Sequence, residues 1–527
     1  MNLATEASIA TKVERMRGRV RWGHPEVVRR GIDQRRLAID GAPGDGESFT
    51  FLVLGDSGTG RHRGSSPQRQ VAQRLLAQGE ATRFVLHTGD VVYLVGSSEQ
   101  YRQNFIKPYR EWLVNGDDYR AIAYDRMTFK LPFLPVPGNH DYYDLPLPLG
   151  VLAGISSPLR LLLRHVIDLD VGWHGSDVGD AYARAFLDVL ADRPAAALGE
   201  HLDCHYTATV DGVRCLRQQP GSFTRLPNPY YHVRIGGIDI FALDSNTFNQ
   251  PLPLELSPAG EERRERLGAL REELAGRRRQ LLDRIGAAVL DRCADPEARE
   301  DLTETLEQID EQLRDIAKQL LAPTDGVELD QEQLDWLREG LVTSWNNPEV
   351  RGRIVVLHHP PYVTEASKWD QGQTLAVRHQ LRQVLNQVAA RVGAPARGRP
   401  LVDLGLSGHA HCLEYIETAD TGHGDAWMPW LICGGSGYSL RRQRPEGLIL
   451  RESSEVGERT LARSQLFVGR SGRGSRLRRA YSGLRVDVAA GRPLRLRLTP
   501  LVAEKLEGSW RHYDLETIEV GGVEPGG

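Results

Sequence analysis

The sequence predicts an α/β fold in which helices cover a buried sheet. Two observations lead there. Short apolar runs open into glycine or polar turns, as buried strands do: FTFLVLGD (49–56), FVLHTGD (84–90), LPFLPVPGNHD (131–141), IDIFALDSN (238–246), RIVVLHH (353–359) and LVDLGLSGHAH (401–411). Between several of them lie amphipathic stretches with helical spacing, such as QRQVAQRLLAQ (68–78) and DQEQLDWLREGL (330–341). Strands alternating with such helices bury a sheet under helical layers.

Taken in order, residues 1–47 read as an arginine-rich helical arm that ends at the turn GAPGDGES. Residues 48–450 hold the strand–helix rhythm, with two interruptions. Residues 146–205 are rich in Leu, Pro and Ala, carry helical periodicity in DAYARAFLDVLAD, and predict a cap-like excursion beside the loops. Residues 258–322 predict an antiparallel helical hairpin. Leu302, Leu306, Ile309, Leu313, Ile316 and Leu320 alternate spacings of four and three, the seam of a coiled coil, and Leu267, Leu270, Leu274, Leu281, Ile285 and Val289 mark a matching seam upstream. Between them Asp295-Pro296 supplies an N-cap and a first-turn proline. The hairpin reads first as a self-contained protrusion, and second as a docking arm or dimer contact. Residues 451–527 alternate in strand fashion, as in LRVDVAAG and PLRLRLTPLVAEKL, and predict an antiparallel edge or a small β appendage.

Composition narrows the function classes. Across 527 residues, 40% are apolar and 26% charged, ordinary for a soluble globular chain of several domains or one elaborated domain. The net charge of −4 supplies no global field for nucleic acid or anionic membrane, although a local basic patch stays open. Five cysteines without CxxC spacing form neither a disulfide framework nor a zinc ribbon. The polar N-terminus lacks the apolar core of a signal peptide. The most apolar region, Leu145 to Leu163, is broken by Pro146, Pro148, Pro158 and Arg160, so no transmembrane helix is expected and a cytoplasmic protein is the default.

The chemistry sits at the strand ends. Asp56, Asp90, the trio Asn139-His140-Asp141, the pair His358-His359, and His409 with His411 each close one apolar run. Sites in α/β sheets form outside the carboxyl ends of strands, so these donors would converge into a polynuclear metal site. Singly each is weak: an Asp after Gly is usually a turn, and a buried His is usually structural. The ordered set carries the signal.

In that order, GD (56), GDVVY (89–93), GNHD (138–141), VVLHH (355–359) and GHAH (408–411) resemble the calcineurin-like metallophosphoesterase superfamily, over roughly residues 48–437. GGSGY (434–438) is similar to the glycine-rich segment that follows the last motif of that family. Many members begin with Asp-x-His, whereas this chain has Asp56-Ser57-Gly58. Tyr93, three residues after Asp90, would replace the missing ligand, the pattern of the purple acid phosphatase branch. The alternative is that Tyr93 is only a packed aromatic.

The resemblance implies a four-layer α/β/β/α sandwich and two metal ions, iron with zinc, manganese or a second iron. Asp56, Tyr93 and His411 would hold the first, Asn139, His358 and His409 the second, and Asp90 would bridge. His359 would stand behind the ligands. Water activated by the metals would attack phosphorus, His140 would face the leaving group, and Asp141 would orient that imidazole. A small phosphomonoester is the leading substrate. A diester (cyclic nucleotide, glycerophosphodiester or nucleic acid) is the runner-up, and a regulatory role through the hairpin is the third reading. His87 reads as a core histidine, while His62, His205 and His232 have no partner that sequence can identify. Arg441, Arg442 and Arg444 follow the glycine loop closely enough to touch a substrate phosphate, although an arginine cluster is usually a solvated face.

Overall fold

A computed structural model describes residues 4–59, 65–145, 175–290, 296–323, 326–393, 399–454, 457–473 and 476–521. The chain opens with α1 (Ile9–Arg19), where the Ser8 side chain accepts from the Thr11 amide, and α2 (Pro25–Arg29), which a proline begins. Next come β1 (Ile32–Ile39), β2 (Phe49–Leu54), α3 (Pro67–Leu76), β3 (Thr82–His87) and β4 (Phe133–Pro135). Then α4 (Asp180–Phe186), α5 (Ala195–His205), β5 (Ala208–Val210), β6 (Val213–Gln218), β7 (Tyr231–Ile235) and β8 (Ile238–Ala242) lead to two long helices, α6 (Pro258–Leu290) and α7 (Pro296–Leu320). They are followed by α8 (Gln331–Asn346), β9 (Gly352–Val356), α9 (Gly372–Val392), β10 (Leu404–Ser407), β11 (Leu413–Thr418) and β12 (Pro429–Cys433). The tail supplies β13 (Ile449–Ser454), β14 (Gly457–Val468), β15 (Arg470–Ser471), β16 (Arg478–Val488), β17 (Arg495–Leu506), β18 (Ser509–Asp514) and β19 (Ile518–Gly521).

Two mixed sheets result. One runs β13-β14-β11-β12-β10-β9-β8-β7-β1-β6-β5, the other β18-β17-β16-β2-β3-β4, with β15 and β19 paired to β16 and β17. Within them β8, β9, β10 and β12 are successive parallel neighbours, as are β2, β3 and β4. Each parallel set therefore sends its carboxyl ends to one edge. Side-chain alternation shows what each face meets. Ile354 and Val356 join Phe51, Val53 and Leu86 in one apolar cluster, whereas Val355 and Leu357 join Leu334 and Leu341 of α8 and Val377 and Leu381 of α9 in another. A strand buried on both faces needs a continuous apolar run, which is why β2 and β9 have no polar alternation. Each such side chain contributes about 1.5–3 kcal/mol relative to exposure. Among the described residues no helix is long and apolar enough to cross a membrane.

The structure departs from the sequence expectations at two places. The arm 1–47 is not all helical: β1 lies inside the larger sheet between β6 and β7. Its arginines find acidic partners there, Arg35 and Arg36 on Asp33 and Arg36 also on Asp211, so a charge-rich segment is satisfied as a strand. In the tail, β16 pairs antiparallel with β2, Leu484 opposite Val53, and β17 and β18 extend that sheet outward, so the tail forms an antiparallel edge of the smaller sheet.

The second departure concerns residues 258–322. Leu267, Leu274 and Leu281 of α6 and Ile309 and Ile316 of α7 are buried together, flanked by Ile285, Leu302, Leu306, Leu313 and Leu320. Leu270 is exposed, outside that shared apolar seam. Asp295 and the Val289 side chain lie outside the described residues. The self-contained protrusion is overturned: α7 lies along the body. Its Asp301 and Glu304 pair with Arg470, Gln312 donates to the Ala366 carbonyl, and Asp315 accepts from the Gly372 amide at 2.9 Å. Of the predicted excursion, residues 146–174 lie outside the described residues. In the remainder α4 is buried, and its Tyr182 hydroxyl donates to the Pro135 carbonyl at the end of β4.

Candidate metal centre

The predicted donors stand just past the strands that present them, Asp56 after β2, Asp90 after β3, Asn139 after β4, His358 after β9 and His409 after β10. Three of these residues occupy the left-handed region, with φ of 52° at Asp56, 53° at Asp90 and 64° at His409. Such backbone costs about 1–3 kcal/mol per residue and persists where function holds it. Glycines make the close approach feasible. A Cβ at Gly89, where φ is 99°, would run into the His358 imidazole, and one at Gly138 into the Asp90 carboxylate.

The three imidazoles are oriented by bonds on their outer sides. His358 Nδ1 donates to the Thr88 carbonyl at 2.8 Å, His411 Nδ1 to the Ser439 carbonyl at 2.9 Å, and His409 Nε2 to Gln371 Oε1 at 2.9 Å. Each ring therefore turns its remaining nitrogen, a lone pair in the neutral form, inward. Apart from the Tyr93 hydroxyl near His411, what those nitrogens face is not a donor. His358 Nε2 is 3.0 Å from Asn139 Oδ1 and 3.4 Å from Asp90 Oδ2. His409 Nδ1 is 2.9 Å from the same Asn139 oxygen, and His411 Nε2 is 3.6 Å from Asp56 Oδ1. Tyr93 adds to the crowding. Its hydroxyl has one proton to offer, yet it stands 2.8 Å from Asp90 Oδ2, 3.0 Å from Asp56 Oδ1 and 3.4 Å from His411 Nε2.

All these groups are buried. Burial, together with the charge of Asp90, raises the Asp56 carboxyl well above its ordinary range. Burial and the two carboxylates raise the Tyr93 phenol likewise. Against its own burial, His358 is pushed up to about 9 by the charge and hydrogen bond of Asp90 and the charge of Asp56. Without a cation the cluster holds a proton there; positive charge is what it calls for. Among the described residues two groups have the geometry to hold one, Asp56 with Asp90 and His358, and His358 with His359 and His409. In the second group His359 has no free lone pair. Its Nδ1 donates to Ser245 Oγ at 2.8 Å and its Nε2 accepts from Asn249 Nδ2 at 3.2 Å, so it stands behind the donors.

His140 sits beside the cluster. Its Nδ1 donates to the Leu94 carbonyl at 2.5 Å, its Nε2 is 4.0 Å from Asp90 Oδ2, and its ring lies against Tyr93. The His140 side chain is 22% exposed where that of Asp90 is 1%, so His140 is reachable from the cavity. The expected role of Asp141 is corrected. Its carboxylate accepts from the amides of Val91 (3.1 Å), Val92 (3.4 Å) and Gly138 (2.9 Å), and the partner of His140 Nδ1 is the Leu94 carbonyl instead. Asp141 thus ties the Asp90 loop to the Asn139 loop. Three amide donors, two past β3 and one past β4, are a stronger local demand than one imidazole.

Several residues escaped the sequence reading. Gln371, at the start of α9, orients His409; Tyr438 stacks on Tyr93 with centroids 4.1 Å apart. A cavity of about 570 Å³ opens onto Asp90, Asn139, His140, His409 and His411, and Lys368, Arg441 and α7 line it too. Of the three arginines, only Arg441 is in that lining: Arg442 donates to the Gly472 carbonyl, and Arg444 donates to the Gly447 and Ile449 carbonyls and stacks on Trp369. His87 is a core residue bonded to Ser57 Oγ, and burial pushes it down to about 3. His205 stacks on Phe223, His232 pairs with Asp239, and His62 lies outside the described residues.

No family model matches the sequence, and no curated protein matches it. Among solved structures, the chain is similar to GAP50, the anchor in the inner membrane complex of Plasmodium, at 12% identity and a TM-score of 0.39 over 90% of each chain. It is similar to the purple acid phosphatase PPD1 from yellow lupin (Lupinus luteus) seeds at 11% identity and a TM-score of 0.40, covering 91% of this chain and 55% of that one. It is similar to PhoD at 12% identity and a TM-score of 0.37, covering 90% and 73%. Likeness at this level carries no argument, and the site stands on its own geometry.

Proposed function

We propose that this chain is a phosphoric ester hydrolase that works with two metal ions and takes phosphomonoesters as substrates. One observation supports this reading above the others: three imidazole nitrogens, two carboxylates, an amide oxygen and a phenol face one another in a buried cluster whose acceptor atoms outnumber its protons. Cations relieve that repulsion. Asp56, Tyr93 and His411 would hold one, Asn139, His358 and His409 the other, and Asp90 would reach both. The phenol and carboxylates suit ferric iron, while the imidazoles with the amide suit zinc, manganese or ferrous iron. When bound, such a pair lowers the pKa of water and neutralises phosphoryl oxygens.

The chain supplies the rest. The Leu94 carbonyl fixes the proton of His140 on Nδ1 and leaves Nε2 toward the cavity, where the protonated ring can hand a proton or a hydrogen bond to the leaving oxygen. Asp141 acts through the backbone, holding in register the loops that carry Asp90 and Asn139. In this reading the two sheets are the inner layers of an α/β/β/α sandwich.

The test is to load the full chain with iron, manganese or zinc and assay an aryl phosphomonoester beside the matching diester, with Asp90→Asn as the blank. Monoester turnover absent from the blank is expected, together with a visible tyrosinate–iron band that Tyr93→Phe removes. Preference for the diester would replace the substrate class. A protein that takes up no metal and cleaves neither ester would end the proposal.

A further inference from the structure

The cavity at the strand ends has a second wall, made by α7. From it Glu311 forms ion pairs with Lys368 Nζ and with Arg441, whose Nη2 lies 3.7 Å from Glu311 Oε2. Both cations are nearly sealed from bulk water, at 2% and 4% exposure, yet both line the cavity that His409 and His411 line. Arg441 is also chained to the metal edge, since its amide donates to the His411 carbonyl at 2.9 Å.

Glu311 is the carboxylate ion-paired with both cations, and Glu307 and Glu365 also place their charge near Arg441. At 3.7 Å the Arg441–Glu311 contact is too long for a hydrogen bond. Arg441 Nη1 reaches Ser439 Oγ at 3.2 Å, and its Nε has no partner among the described residues. Buried guanidinium donors are costly to leave unmet, and planar forks of this kind match oxyanions. Glu311 is not needed to hold α7 in place, because Asp301 and Glu304 pair with Arg470 on one side of it and Asp315 caps the Gly372 amide on the other. A carboxylate that could leave without freeing its helix therefore occupies two cations that face the reaction cavity.

We propose that Lys368 and Arg441 form an oxyanion subsite beside the metal centre, and that Glu311 is the internal carboxylate that fills it until a phosphate group of the substrate takes its place. Which ester the subsite serves rests on the phosphoesterase reading; anion binding by the pair does not.

The experiment is calorimetric titration of the full chain, stripped of metal by a chelator, with inorganic phosphate. Removing the competing carboxylate by Glu311→Gln is expected to tighten phosphate binding about tenfold over the unaltered chain. Replacing both cations, Lys368→Met with Arg441→Met, is expected to abolish it. Equal affinity in the unaltered chain and Glu311→Gln would overturn the subsite, as would undiminished binding in the double variant. Should the double variant not fold, the Glu311→Gln titration decides, with the phosphate-induced rise in melting temperature as its second readout: a larger rise than in the unaltered chain supports the subsite, an equal one overturns it. Tighter phosphate binding in a chain that never takes up metal would keep the subsite and remove the esterase reading, so the two failures are distinguishable.

Discussion

Two walls face one cavity, and they are built on different terms. The strand-end wall is assembled from local motifs: each donor follows a buried strand by a few residues, usually next to a glycine that admits a neighbouring loop. The α7 wall is assembled from pairs that are distant in sequence, Glu311 with Lys368 57 residues on and Asp301 with Arg470 169 residues on. The first wall concentrates acceptors and so calls for cations. The second brings cations and a carboxylate together and so can trade one anion for another. A motif can specify the first kind of chemistry by itself, whereas the second exists only once the chain has folded.

The comparison breaks most sharply at Asp90. Asp90→Asn should lower ester turnover on the order of 10³-fold and reduce metal content, read by elemental analysis, while hydrogen exchange along 301–319 stays unchanged. If α7 loosens as well, the walls are not independent. His140→Ala should cost about 10²-fold or more in turnover with metal content intact. Metal lost from that variant would move His140 into the ligand set.

Gln371 touches both walls, since it orients His409 and sits in the same 364–371 loop as Lys368. Gln371→Ala should weaken metal affinity about 10–100-fold, measured by competition with a chromophoric chelator. Unchanged affinity would mean that the His409 tautomer needs no partner. On the other side, Ile316→Ala removes a buried side chain between α6 and α7, a local loss of about 2–5 kcal/mol. Faster amide exchange in both helices with unchanged metal content is the expected result.

The smallest effect is a pH dependence at the root of the shared loop. Glu414 accepts from the Thr364 amide at 2.9 Å, and burial pushes its carboxyl from 4.5 up to about 7. The folded chain thus holds this proton more tightly than the unfolded chain. The stability that the proton contributes is complete below about pH 4.5 and is lost as pH rises through about 7. Glu414→Gln should therefore raise the melting temperature at pH 8 by about 2–4 °C and do little at pH 4. A variant that melts lower at pH 8 would show that the ionised carboxylate is the native form.

What could be read ahead of the structure follows the same division. The donors Asp56, Asp90, Tyr93, Asn139, His358, His409 and His411 stood out because strand, turn and donor are contiguous in sequence, and the structure gathers all seven into one buried cluster. The choice of His358 over His359 agrees with the bonds that occupy both nitrogens of His359. The role given to Asp141 failed because nearness in sequence to His140 is not nearness of side chains, and three backbone amides took its carboxylate. Acidic residues at 301, 304, 311 and 315 repeat with the same helical period as the leucines of α7, yet in sequence such a row looks like a solvated face.

The sequence by itself determined the α/β alternation, the buried strands and the chemistry at their ends, because apolar runs and turn residues act over a few positions. Only tertiary structure decided that β1 enters the larger sheet, that β16 lies beside β2, and that α7 walls the cavity. It also decided which nitrogen of each imidazole faces inward, since Thr88, Gln371 and Ser439 set that from remote positions. Strand pairing, charge pairing and tautomer choice all depend on which distant groups meet, and the backbone alone brings them together.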